Sequence, residues 1–269
     1  VSSIIGGQGD RPWRGGGAAY PTDSANRLGY FERGDLVQLN YRTLAEVGVR
    51  SWVTFDDAFA TYPRAINASV HMSSERLRKF EQQASSILRD MVSANQERPF
   101  VLKDVRLSRT LPLWAPLIRQ RFSRQPVCLI PFRHPAEVAL SSRMAHVDRV
   151  TLWKNYMLAA LASSRAIGCP TLLLDFDKWF ASKASASRQL DELLHFLQCF
   201  GVIREKDAPD RGRLLALVRR DEKHRNVDDA QRRGVPQATA CLHEALVEGT
   251  ALAWHLDGKT RMPCLSPRA

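Results

Sequence analysis

Three short apolar runs each end on a charged side chain. Pro99-Phe100-Val101-Leu102 leads to Lys103 and Asp104, the run from Val127 to Phe132 leads to Arg133, and Thr171-Leu172-Leu173-Leu174 leads to Asp175. Val127 to Ile130 is apolar without alternation, as in a central parallel strand covered on both faces. In open α/β sheets ligands bind at the carboxyl ends of strands, which is where these charges fall. Lys103 and Arg133 would put two positive charges at one rim of the sheet. Such a pair suits a dianionic ligand and a transferring group that builds charge on its oxygens. Ser141 lies eight residues past Arg133, about two helical turns on. Pro135, between them, suits the first turn of a helix, where no amide donor is lost. An arginine facing a helix with a hydroxyl on it would cradle a phosphate. The competing reading is that Arg133 caps or salt-bridges a surface loop.

Periodicity outlines the elements that must position these residues. Asp35 can cap a helix over Leu36 to Gly48. Ser74 to Asn95 repeats Leu77, Phe80, Ala84, Ile87, Leu88 and Met91 at intervals of three and four, an amphipathic helix. Residues 105–114 run into a short helix that Pro116 bends. Further helices are expected from Pro135, from Asp148 to about Ile167, and over 184–199, with Gly168 and Gly201 as stops. The Asp148 helix is apolar on two faces and should be buried on much of its surface. Strands alternating with helices give a parallel α/β sheet with right-handed crossovers. Beyond residue 203 the chain turns basic, returns to a helix over 237–255, and ends in a loose tail. The division expected is an α/β core over 1–203 and a basic helical extension over 204–269 packing on the same domain. Residues 6–21 read as an irregular loop and 52–72 as loop with short helical turns.

The totals narrow the partners. Of 269 residues, 44% are hydrophobic and 25% charged, ordinary for a globular chain with a sizeable core. A net charge of +11, from 39 basic and 28 acidic residues, favours anionic ligands. The basic residues are spread along the chain, without the concentrated arm or the aromatic–basic interleaving of a nucleic-acid binder, so nucleic acid is disfavoured. Cys128, Cys169, Cys199, Cys241 and Cys264 are odd in number, widely spaced and without a CxxC pair. That pattern argues against a metal site and against a disulfide framework, reads Cys128 as a small buried hydrophobe, and fits a reducing cytoplasm. No run approaches a membrane span and no signal peptide is visible.

Three segments together resemble a known family. Gly29-Tyr30-Phe31-Glu32, Leu102-Lys103-Asp104 through Arg106-Leu107-Ser108, and Arg133-His134-Pro135 through Val138-Ala139 are similar to a bacterial subfamily of nucleotide-dependent sulfotransferases. These enzymes take their sulfuryl group from 3′-phosphoadenosine 5′-phosphosulfate. The resemblance covers roughly residues 26–200. It implies a three-layer α/β fold of the P-loop-NTPase type, a parallel sheet flanked by helices. It also implies transfer to an acceptor hydroxyl or amine, a carbohydrate among the candidates, and no metal. In that family an arginine ending a strand and a serine eight residues on bind the donor's 3′-phosphate, the relation of Arg133 to Ser141. Arg143 and Arg225 are weaker candidates for the same phosphate. Lys103 corresponds to the lysine that contacts the leaving phosphate.

Two departures matter. Val105 stands where the family motif usually has proline. The histidine that serves as base in the cytosolic branch has no counterpart, which leaves Asp104 and Glu32 as candidate bases. The competing readings are that Asp104 pairs with Arg106 and that Glu32 simply precedes a helix cap. His134 reads as a hydrogen-bonding turn residue. The first strand and the phosphate loop, where backbone amides hold the donor's 5′-phosphosulfate, have no counterpart in this sequence. The expectation is truncation rather than loss, and poor donor binding by residues 1–269. The alternative function is a catalytically inactive relative that binds an acidic glycan or a protein partner.

Overall fold

The computed structural model describes residues 32–47, 72–94, 99–123, 126–141, 148–218 and 228–249. In chain order these form α1 (Gly34–Glu46), α2 (Ser74–Ala94), α3 (Leu107–Phe122), β1 (Cys128–Phe132), α4 (Pro135–Ser141) and α5 (Arg149–Ala166). There follow β2 (Thr171–Asp175), α6 (Phe176–Ala181), α7 (Lys183–Cys199), α8 (Arg211–Ala216), α9 (Asp229–Arg233) and α10 (Gln237–Val247). The class is mixed α/β and mostly helical. β1 and β2 pair in parallel, with Cys128 opposite Thr171 and Phe132 opposite Asp175.

Side-chain alternation along the two strands builds a layer on each face. Ile130 and Phe132 of β1 and Leu173 of β2 pack with Trp153 and Leu161 of α5 and Leu242 and Leu246 of α10. On the other face Leu172 and Leu174 meet Leu190, Leu193 and Leu197 of α7 and Leu214 of α8. Helices therefore cover both faces, and α8 and α10, from the basic carboxyl-terminal stretch, are part of that covering. A separate cluster joins Leu36 and Leu39 of α1, Phe80, Leu88 and Met91 of α2, and Leu113 and Trp114 of α3.

The third expected strand does not form. Residues 99–104 run without ladder partners among the described residues. Phe100 and Leu102 pack into the α1–α3 cluster, whereas Val101 packs toward the sheet. The segment is a seam between two cores, so its alternation is that of a strand while its backbone pairs with neither. Lys103 therefore does not share the sheet rim with Arg133 as a strand terminus.

The third helix outlasts its prolines. It runs 16 residues with Pro112 and Pro116 inside. A proline removes the bond to the carbonyl four residues back. For Pro112 that carbonyl is Ser108 O, and the buried Ser163 hydroxyl of α5 donates to it at 2.6 Å. Arg119 of α3 likewise donates to Ile167 O at the end of α5. These two bonds fix α3 on α5. At the other end of α5, Asp148 accepts from the amides of Val150 and Thr151, both at 3.1 Å. Gly168 takes φ +60 and lets Cys169 N return to Ser164 O at 2.8 Å.

The cysteine expectation is overturned. Cys128 and Cys169 form a disulfide across the amino ends of β1 and β2, with Cα atoms 6.1 Å apart. Cys241 is disulfide-bonded as well. A spacing of 41 residues hides the pair in sequence. Parallel pairing brings it together, because Cys128 N donates to Pro170 O beside Cys169. A loop of this size is typically worth about 2–4 kcal/mol. The ground for assigning a reducing compartment, absence of disulfides, is thereby removed. Among the described residues no helix is long and apolar enough to cross a membrane.

Candidate functional site

Two groups of polar residues occupy the positions the sequence singled out. The first lies at the carboxyl end of β1. Arg133 leaves the strand and meets Glu137 on the first turn of α4, Nε to Oε2 at 2.5 Å. Pro135 opens α4 as expected, and it puts Glu137 four residues past Arg133. The carboxylate of Glu137 has no exposed surface. Its other oxygen, Oε1, lies 3.4 Å from Nη2 of Arg232 on α9. The Arg133 guanidinium also stands 4.9 Å over the ring of Phe176, the first residue of α6, a cation–π position. Two guanidiniums share one buried carboxylate. Asp175, opposite Phe132 in register, does not add to this pocket. Its carboxylate caps α6, accepting from Asp177 N at 2.9 Å. Burial pushes its pKa up, against that amide and Lys178.

A pair of histidines closes the same end from the α10 side. The rings of His134 and His243 are 4.7 Å apart, edge to face, and Phe132 and Trp153 lie about His243. His134 Nδ1 accepts from Ala136 N at 3.3 Å, the turn role expected of it. Burial, then the nearby His243 and Arg232, pull its pKa down to about 4, against Glu137 and Asp177. Burial also lowers His243. Both rings are therefore neutral near pH 7.

The sign of the consequence is definite. Between the ordinary 6.5 and about 4 the unfolded chain takes up a proton that folded His134 refuses. Stability is full above about pH 6.5, falls as pH drops, and levels off below about 4. At about 1.4 kcal/mol per unit the ceiling is near 3 kcal/mol, and partial solvent access brings the expected loss to about 1–2 kcal/mol. Urea midpoints across this range should move less for His134→Gln than for the parent. Parallel curves would remove the histidine from the acid response.

The second group surrounds the seam. Glu32 and Lys103 form an ion pair, Nζ to Oε1 at 3.3 Å, with the lysine half exposed. Asp104 turns the other way and is fully buried at its carboxylate. It accepts from Arg106 N at 3.0 Å, Arg106 Nη1 at 2.8 Å and Asn40 Nδ2 at 2.9 Å. Asn40 Oδ1 in turn accepts from Trp114 Nε1 at 2.8 Å. Tyr156 of α5 lies near the same charges, and burial pushes its phenol up to about 12.

The structure thus joins Glu32 to Lys103, gives Asp104 the Arg106 pairing that was the competing reading, and sets Arg133 against a buried acid rather than a surface loop. Ser141 is the last residue of α4, and its side chain is outside the described set. Arg143, Arg225, the loop 6–25 and residues 52–71 lie outside the described residues. Sequence reasoning missed Glu137, Arg232 and His243. Glu137 was within reach, at the i+4 spacing from Arg133. Arg232 is 95 residues from its partner, and no local pattern announces it. Among the described residues no cluster of three metal-ligating side chains occurs. Compared with known proteins, the chain matches no family model, no curated sequence and no solved structure.

Proposed function

We propose that the protein is a sulfotransferase using 3′-phosphoadenosine 5′-phosphosulfate, with a hydroxyl or amine as acceptor. The observation that carries this reading is the double-arginine strand end. Arg133, braced by Glu137 and Phe176, has Arg232 beside it, so two guanidiniums stand together at the strand end where a phosphate would bind. The resemblance of Arg133 and Ser141 to the family's 3′-phosphate motif supports the same assignment.

The reaction is direct displacement. The acceptor oxygen or nitrogen bonds to sulfur while the bond from sulfur to the donor's phosphate oxygen breaks, and the electron pair leaves with the phosphate. Lys103 neutralises charge on that leaving group. Glu32 takes the acceptor's proton, and its ion pair with Lys103 positions it. Asp104 is a positioning residue, since Arg106 and Asn40 occupy its oxygens. It fixes the backbone turn that presents Lys103.

Adenosine 3′,5′-bisphosphate tests the reading by isothermal titration. The parent is expected to bind it, and Arg133→Ala should weaken that binding about 10–100-fold, the scale of a charge-assisted contact at a partly buried site. Unchanged affinity in Arg133→Ala, or no binding by the parent, sinks the assignment and leaves the inactive glycan or partner binder.

A further inference from the structure

The groove between α2 and α3, away from the strand end, carries a charge pattern that the proposed reaction does not use. Two adjoining depressions of about 340 and 350 Å³ run along it, sharing Ser85, Arg89, Leu117 and Gln120. Arg78, Gln82, Ser85 and Arg89 lie four, seven and eleven residues along one helix, so they form a single stripe. At about 1.5 Å per residue the stripe is roughly 16 Å long. Arg121 faces it from α3.

Among the described residues none of Arg78, Arg89 and Arg121 has an ion pair or side-chain hydrogen bond. Two acids of α2 are committed elsewhere. Glu75 binds Lys79 at 2.7 Å, and Asp90 turns to Arg33 at 3.5 Å. Among the described residues lining the groove, Glu81 is the one acid that opposes the three guanidiniums. Three separated arginines against one acid call for a ligand with several separated negative charges rather than a single anion. Gln82, Ser85 and Gln120 add neutral donors and acceptors between the charges, and Leu117 supplies an apolar patch on the floor. That alternation matches sugar rings, which present hydroxyls at the edge and carbon at the face. Among the described residues no aromatic side chain lines the groove, so they offer stacked bases no platform. No apolar anchor projects from it toward a lipid surface.

We propose that the α2–α3 groove binds an anionic oligosaccharide, with Arg78, Arg89 and Arg121 taking its acidic groups. The site stands independently of the strand-end nucleotide reading. A fluorescently labelled heparin hexasaccharide, followed by anisotropy in physiological salt, tests it on the intact chain. The combined variant Arg78→Gln, Arg89→Gln, Arg121→Gln should lose about 30-fold in affinity, three exposed charged contacts at roughly threefold each. A control that removes equal charge from α7 and α8, Lys183→Gln, Arg188→Gln, Arg213→Gln, should stay within about twofold. Circular dichroism melting of both variants establishes that they fold, which exposed substitutions on helix surfaces should permit. Binding lost equally in the control overturns the site, as does no binding by the parent. Tighter binding of single-stranded DNA of matched charge, or equal binding of the desulfated hexasaccharide, also overturns it.

Discussion

Asp104→Ala is expected to cost about 3–5 kcal/mol of stability, read as a lower urea midpoint with an unchanged slope. The acid is enclosed, and each oxygen has a partner: Oδ1 takes the Arg106 backbone and guanidinium, and Oδ2 takes the Asn40 amide. Alanine strips the guanidinium of its carboxylate at a site where the arginine side chain is only 12% exposed. It also orphans the Asn40 donor, while Asn40 still has to hold Trp114 Nε1. Trp114 is wholly buried and packs edge to face on Phe80 at 5.5 Å, so the loss reaches the centre of the α1–α3 cluster. Asp104→Asn keeps the shape and one acceptor and should cost less, about 2 kcal/mol. The contrast separates two roles. A proton acceptor in the reaction would lose turnover in both variants while the midpoint stayed in place. A positioning residue loses stability in proportion to the bonds removed. A midpoint within about 1 kcal/mol of the parent in Asp104→Ala, with turnover abolished, would return Asp104 to the chemistry.

The particular residues explain what was legible in the sequence. The second helix is read to within a residue, because its apolar positions recur at helical spacing and it packs on one side only. Both parallel strands and the glycine stops at 168 and 201 follow from unalternating runs and from the φ > 0 that ends a helix. The errors share one cause: partners supplied from far along the chain. The third helix is expected to be short and bent at Pro116, yet it runs on to Phe122, with Ser163, 55 residues past Ser108, taking the carbonyl that Pro112 strands. Cys128 looks like a buried hydrophobe until parallel pairing delivers Cys169. Residues 99–104 have the composition of a strand, yet a strand needs ladder bonds, and these are absent among the described residues. At the site itself, residue types and their separation along one element were readable, as with Arg133 and Ser141. Which acid each arginine would meet was not.

Arg133 depends on such a meeting, and Glu137→Ala should therefore be the most damaging change at the strand end. The carboxylate has no exposed surface and stands between Arg133 and Arg232. Its removal takes away the buried carboxylate that the two guanidiniums share. Breaking a buried pair from one side costs about 3–5 kcal/mol, more than the pair contributes as a pair, because a charge is left without compensation. The two arginines should not respond alike. Arg232 is 42% exposed at 3.4 Å, and Arg232→Ala should cost under about 1 kcal/mol. Arg133 is 17% exposed, closer to the acid and set over Phe176, and Arg133→Ala should cost about 2–3 kcal/mol. The order Glu137 over Arg133 over Arg232, measured by urea unfolding at neutral pH, follows from burial and from distance to the shared carboxylate. Added phosphate gives the second reading. If the strand end is an anion site that Glu137 holds half neutralised, an anion should recover part of the stability lost in Glu137→Ala and do less for the parent. Equal effects of phosphate on both proteins would mean that the two arginines serve only to hold α4 and α9 together, and the nucleotide assignment would lose its anchor.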